Sequence, residues 1–316
     1  MITLMYSNYA PSEGHVVRLE SLVGIGKVHV AGDEAAALTH AGDVRIVLGH
    51  RYLRQLLPHA PRLVWVQSSA AGFDQLPWRE LAARGILLSR NPHGAPAIGH
   101  HVVALAWSLL RRLPLAYEAQ QAGCWHPPFA MLPLPRTALI LGLGAIGLAT
   151  AKLLRGLGLR VLGVATQGTA VQRLACDEFL MPDEWRSRLP EVDVLVLTLP
   201  LDDGTRACVA SSELSALPGH AVVVNVSRAA VLDQDALLRA LEDGQIGGAA
   251  LDVLDPIPTP ESSVWRTPNL LITPKVASYH PGMQQVFESF AEAQVARYLA
   301  GEEVEARVAR PMVGHD

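Results

Sequence analysis

Gly142, Gly144 and Gly147 form a G-x-G-x-x-G element, and the chemistry such a spacing serves is holding a pyrophosphate. The first glycine makes a tight turn, the second lets phosphate approach the backbone, and the third lets a helix pack closely on a strand. Ala138–Leu141 before it is strand-like, and a helical pattern runs from it to about Gly156. Ala145 and Ile146 then open that helix, where free N–H groups and a partial positive charge face the phosphates. A glycine-rich turn without a ligand is the alternative, and the strand–turn–helix context argues against it. The end of the next strand reads Val164-Ala165-Thr166-Gln167-Gly168-Thr169, which puts Thr166 at the adenosine ribose. No acid occurs from Leu159 to Cys176. A carboxylate there would repel a 2′-phosphate, so the expected cofactor is NAD(P), with NADP slightly preferred. Arg173 is the arginine in the following segment that could reach the phosphate.

The elements that must position these residues follow from apolar periodicity. ITLMY (2–6), KVHV (27–30), RIVLG (45–49), LVWV (63–66) and ILL (86–88) read as short strands, with helices over Asp33–His40 and Gln75–Arg84. A long helix over Ile98–Leu113 is expected to end near Pro114, and the proline-rich stretch 124–135 reads as an interdomain linker. The pattern then restarts, with strand-like runs at 159–165, 192–200, 221–227 and 247–254 and a last helix over Gly282–Leu299. Nearly unbroken Val/Leu/Ile strands alternating with helices specify parallel sheets buried on both faces. A chain of 316 residues, half of them hydrophobic, exceeds what one core usually supports, so two domains are expected. Acids outnumber bases 30 to 26, which argues against a nucleic-acid partner. The apolar run Val102–Leu110 falls short of the ~20 residues that span a bilayer, so no membrane partner is expected. The opening MITLMYSNYA lacks a basic segment of the secretory kind. Cys124, Cys176 and Cys208 are far apart and fit neither a disulfide framework nor a zinc site. The expected setting is cytoplasmic, and no metal site is expected; the adjacent His100 and His101 point apart on a helix and read as hinge or interface residues.

As a whole the sequence resembles the D-isomer-specific 2-hydroxyacid dehydrogenases, notably their glyoxylate/hydroxypyruvate reductase branch. WVQSSAAGFDQL (65–76), RRLPLAYEAQQAGCW (111–125), LPLDDGTR (199–206), VVVNVSRAAVLDQDAL (222–237), ALDVLDPIP (250–258) and LLITPKVAS (270–278) match the family's blocks in order. The resemblance implies an α/β fold of two Rossmann-like domains with parallel sheets and a cleft between them. It implies a substrate domain of residues 1–100 plus 283–316, a dinucleotide-binding domain of 101–282, and a homodimer. It implies that Arg228, in Asn225-Val226-Ser227-Arg228, binds the carboxylate and carbonyl of a 2-oxo acid, a task suited to a planar guanidinium fork. Backbone N–H groups at Ala70, Ala71 and Gly72 would hold the carboxylate, and Leu199, Pro200, Val226 and Asp252 would contact the nicotinamide half.

Two departures fall on the chemistry. Where the family has a catalytic histidine after Thr-Pro, this chain has Thr273-Pro274-Lys275, and the family's partner glutamate aligns with Ile257. Lysine can donate the proton that a carbonyl oxygen needs as hydride arrives. An apolar Ile257 and the neighbouring Arg228 would both favour its neutral form. Only Lys27, Lys152 and Lys275 are lysine among the 26 basic residues, so a compact donor here is a marked choice. The expected function is hydride transfer between NAD(P) and a small 2-oxo or 2-hydroxy acid, with Arg228 and Lys275 as its catalytic residues. Two rivals stand beside it: a dinucleotide-sensing protein of little or no turnover, and a dehydrogenase for a di-anionic substrate in which Lys275 binds the second anion.

Overall fold

A computed structural model of the chain describes residues 3–8, 10–73, 76–126 and 129–308. It consists of two units, Met1–Gly94 with His280–Asp316, and Ala95–Tyr279. The ends of the first expected domain, 1–2 and 309–316, and Gln75 at the start of an expected helix lie outside the described residues.

The first unit is a five-stranded parallel sheet in the order β2-β1-β3-β4-β5. Its strands are β1 (Leu4–Ser7), β2 (Val28–Val30), β3 (Ile46–Gly49), β4 (Trp65–Gln67) and β5 (Leu87–Ser89), each close to an apolar run of the sequence. Successive residues face opposite layers. Leu4, Ile46 and Trp65 pack with Phe287, Ala291 and Val295, while Met5, Val47 and Val66 pack with Leu53, Leu56 and Leu81. Helices α1 (Glu13–Val23), α2 (Glu34–Thr39), α3 (Leu53–Leu56) and α4 (Trp78–Ala83) follow the strands. The first of these was not expected, although Ser12 caps its start by accepting from the His15 N–H and Gly24 ends it at φ 109°.

The second unit is a seven-stranded parallel sheet in the order β12-β11-β10-β9-β6-β7-β8. Its strands are β6 (Thr137–Leu141), β7 (Arg160–Val164), β8 (Glu178–Leu180), β9 (Val194–Leu197), β10 (Val222–Asn225), β11 (Gly248–Leu251) and β12 (Leu270–Ile272). Helix α5 (Ala95–Leu110) buries Ile98, Val102, Leu105, Ala106 and Leu109, a single apolar stripe. It ends before the expected Leu113. Arg112 turns into the left-handed region at φ 53°, with Nη1 donating to the Gly247 carbonyl and Asn269 Oδ1. Pro114 does not stop this helix; it sits in the first turn of α6 (Leu113–Gln121), where a missing N–H costs nothing. The remaining helices of this unit are α7 (Ala145–Gly156), α8 (Ala170–Ala175), α9 (Ser211–Ser215) and α10 (Gln234–Glu242). The proline-rich stretch, of which 127–128 lie outside the described residues, falls inside this unit rather than between the two.

The last helix, α11 (Met283–Leu299), returns to the first unit. There the buried Glu288 carboxylate accepts from the Ser12 N–H (2.8 Å), Ser12 Oγ (2.6 Å) and Gln284 Nε2 (2.9 Å). Burial pushes the carboxyl up, but the bonds from Ser12 and Gln284 and the nearby His15 outweigh it, leaving Glu288 below its ordinary 4.5. A depressed folded-state value stabilises the fold above the ordinary value and loses that contribution as pH falls through the depressed one. Urea midpoints of the wild type should therefore fall on acidification below about pH 4.5, and Glu288→Gln should flatten that limb while lowering stability at pH 7 by ~1–3 kcal/mol.

Candidate active site

In the seven-stranded sheet, β6 continues to β7 on one side while β9 lies on its other side, so the strand order reverses between β6 and β9. Ligands of open α/β sheets bind at the carboxyl ends of strands at such a switch. The glycine turn lies there. Gly142 has φ 101°, and a Cβ on it would come within 3.0 Å of the Thr198 backbone. A Cβ on Gly147 would lie 1.9 Å from the Gly142 carbonyl oxygen, which is why helix and turn can touch only through glycine. Gly144 differs. No neighbouring heavy atom lies within 4 Å of its Cβ position, it is exposed, and no side chain caps the helix it opens. Open space before the uncapped N-terminus of α7, at exposed Ala145 and half-buried Ile146, is what a pyrophosphate requires. The turn fits a dinucleotide.

Thr198, at the end of β9, was not singled out in the sequence. Its Oγ1 donates to the carbonyls of Gly142 (2.6 Å) and Leu141 (3.1 Å), tying the glycine turn to the neighbouring strand. Leu199 is half-buried and Pro200 exposed just beyond it. At the end of β7, Thr166 is exposed. Arg173 stands against this loop, its Nε donating to the Gly168 carbonyl (2.9 Å) and its guanidinium stacked 4.6 Å over the Phe179 ring.

The ends of β10, β11 and β12 are neighbours, and each carries an expected site residue. After β10, Asn225 Oδ1 accepts from the Ser227 N–H (3.0 Å) and Oγ (2.8 Å), and Asn225 Nδ2 donates to the Arg228 carbonyl (3.0 Å). That internal brace sets the backbone from which half-buried Arg228 projects. Val226, between them, packs into the core. After β11, Asp252 is 4% exposed. Its Oδ1 accepts from Thr273 Oγ1 (2.6 Å) and the Val276 N–H (3.0 Å), and its Oδ2 from the Ala277 N–H (3.1 Å). The carboxylate thus grips the chain on both sides of Lys275, which adopts φ 56°. A left-handed conformation is costly for a side chain with a Cβ and persists only where surroundings enforce it. Here Asp252 enforces it.

His101 joins this group. Its Nε2 lies 3.1 Å from Thr273 Oγ1 and 3.6 Å from Asp252 Oδ1. Because the threonine hydroxyl already donates to Asp252, it accepts from His101, which therefore carries its proton on Nε2. The expected shielding of Lys275 by Ile257 is not built. Ile257 is 86% exposed and lines a shallow cavity with Gln234, Leu254, Pro256 and Glu261, and Lys275 is itself exposed. Pro256 and Pro258 keep that segment out of the sheet, so its apolar side chain has no core to enter.

At the carboxyl edge of the five-stranded sheet, the loop after β4 carries Ala70, Ala71 and Gly72. The Ala70 N–H is already engaged by Ser68 Oγ (3.1 Å), whereas among the described residues no hydrogen bond takes up the N–H of Ala71 or Gly72. His50, not singled out in the sequence, orders this loop: its Nδ1 lies 3.1 Å from Ser68 Oγ and 3.2 Å from Ser69 Oγ. Burial lowers the His50 imidazole toward its neutral form, and Ser69 Oγ also donates to Asn8 Oδ1 (3.1 Å), which fixes the loop from a second side. Among the described residues no group of three or more His, Cys, Asp or Glu could hold a metal ion. None of their helices is long and apolar enough to cross a membrane.

The profile of the D-isomer specific 2-hydroxyacid dehydrogenase NAD binding domain matches residues 103–277. The chain belongs to this family. The glycine turn described above lies within the matched NAD binding domain. A glyoxylate reductase of Korarchaeum cryptofilum is 32% identical over 252 residues, covering 75% of this chain and 74% of that protein. A family member from Aeromonas salmonicida superposes with a TM-score of 0.81 at 28% identity, covering 98% of this chain and 99% of that one. An NADPH-dependent glyoxylate/hydroxypyruvate reductase from Sinorhizobium meliloti, solved with NADP and malonate, gives 0.77 at 25% identity, with 98% and 97% covered.

The open space at Gly144 gives a clean test of the turn. With φ −75° and no neighbour to strike, Gly144→Val should cost no more than about 1 kcal/mol, the loss of a favourable helix N-cap residue. It should nevertheless abolish NAD(P)H binding in calorimetry, because the branched side chain fills the approach to the helix N-terminus.

Proposed function

We propose that the chain reduces a small 2-oxo acid of the glyoxylate or hydroxypyruvate kind, with Arg228 gripping the carboxylate and carbonyl and Lys275 donating the proton. The observation that carries this reading is the Asp252-enforced turn, which spends a strained backbone conformation on presenting one ammonium at the carboxyl edge of the sheet. A bound reduced dinucleotide supplies the hydride. Arg228 offers two parallel N–H groups to the substrate and draws charge toward the carbonyl oxygen. The Lys275 ammonium transfers a proton to that oxygen as it becomes an alcohol. Strand spacing puts the ends of β10 and β12 about 10 Å apart, within joint reach of two long side chains on one small acid.

NADP is the favoured cofactor. Its support is the acid-free loop at Ala165–Gln167 and the placement of Arg173 against Gly168. The working form is a homodimer, supported by the exposed apolar side chains Leu113, Tyr117, Trp125, Met131 and Leu134 on and after α6. One second reading has a specific observation behind it. Lys275 is exposed, which suits an ammonium that binds a second anionic group of the substrate.

Lys275→Met should lower the turnover of 2-oxo acid reduction by about 10²–10⁴ while leaving NAD(P)H affinity unchanged. Lys275→Arg should recover little, since guanidinium keeps its proton. Near-wild-type turnover in Lys275→Arg would instead establish the anion-binding role. For the cofactor, Ala165→Asp should shift preference toward NADH, and a wild-type Kd tenfold lower for NADH than NADPH, ~1.4 kcal/mol, would overturn the NADP assignment.

A further inference from the structure

The amino-terminal edge of the five-stranded sheet, opposite the end that carries the Ala70–Gly72 loop, holds a second collection of chemistry. Parallel register aligns the residues just before each strand: Leu4 pairs with Val28 and Ile46, so Lys27 and Arg45 flank Thr3 in one row. One strand further on, Ile46 pairs with Trp65, bringing Arg62 to the same edge. With His29 and His40 they line a cleft of about 740 Å³ in which three permanent cations face a single carboxylate, Asp43. That carboxylate is held by Arg62 at 2.9 Å in an exposed ion pair, which is a weak competitor for an incoming anion. The two imidazoles are stacked, ring centroids 3.7 Å apart and planes within 3°. Parallel rings send their in-plane lone pairs along parallel lines, so the pair cannot converge on one metal ion, but their N–H groups can donate side by side.

We propose that this cleft binds small dianions of the phosphate or phosphate-ester class. Lys27 and Arg45 sit about 10 Å apart across β1, a span that a phosphate bridges through their long side chains. The histidine pair couples binding to protons. Partial burial, then His40, then Lys27 push His29 toward its neutral form, with Asp43 opposing them. A bound dianion reverses that balance, so affinity rises as pH falls. The volume exceeds what inorganic phosphate fills, leaving room for the organic part of a monoester.

The test is calorimetric titration with sodium sulfate, which stays dianionic from pH 8 to 6, into the full chain saturated with NADPH. The expected result is a saturable site that tightens several-fold from pH 8 to 6. It should weaken at least tenfold in Lys27→Gln/Arg45→Gln and persist in Arg228→Gln. In the unmutated protein, sulfate should shift the ring-proton resonances of His29 and His40, a readout independent of any variant. Inorganic phosphate and a sugar phosphate monoester then separate the two sources: tighter binding of the ester assigns an organic phosphate, and equal binding assigns the free ion. Absence of saturable sulfate binding, or a site unchanged in the Lys27/Arg45 double variant, overturns the proposal.

Discussion

Within each of the two sheets, all strands run the same way, and that constraint decides where chemistry can be done. Parallel pairing sends every strand-to-helix connection out of one edge, so Gly142, Thr198, Arg228, Asp252 and Lys275 collect at one end of the seven-stranded sheet although they are scattered over 134 positions of sequence. The same rule leaves the opposite edge to the helix-to-strand turns and to the residues that precede the strands. In the five-stranded sheet Lys27 and Arg45 are among them. One topological fact therefore gives a sheet two chemically different ends.

Within the carboxyl edge, the site is shaped by groups that face the protein rather than the ligand. Thr198 ties the glycine turn to β9, Asn225 braces the turn bearing Arg228, and Asp252 holds the turn bearing Lys275. Each uses a short polar side chain to satisfy backbone N–H or C=O groups that the strands have released at their ends. The exposed residues inherit their direction from these buried bonds, so precision at the surface derives from the core.

Much of this was legible in the sequence, and the failures share a cause. The long Val/Leu runs of β6, β7, β9 and β10 and the glycine turn announce themselves because burial on both faces and close approach admit few residue types. Strands β8 and β12, three residues each, carry too little pattern to separate from loops. Thr198 and His50 were missed, and His101 was not tied to Thr273 and Asp252, because their bonds reach residues distant in sequence. The grip of Asp252 on the 273–277 turn was not legible either, because it joins residues more than 20 positions apart. Ile257 was expected to shield Lys275 because the sequence aligns it with a glutamate that touches a histidine. Alignment carries a position, whereas contact depends on the path of the chain, and here that path leaves Ile257 86% exposed.

The grip of Asp252 reaches the backbone and Thr273, and none of its three bonds involves the side chain at position 275. The cost of the left-handed turn is therefore met by a residue 23 positions away, whatever side chain the turn displays. Such a frame separates heritable geometry from heritable reactivity: one codon can exchange the displayed group without rebuilding its support. A chain with this architecture can change the side chain it displays at position 275 while the bonds that hold the turn stay in place.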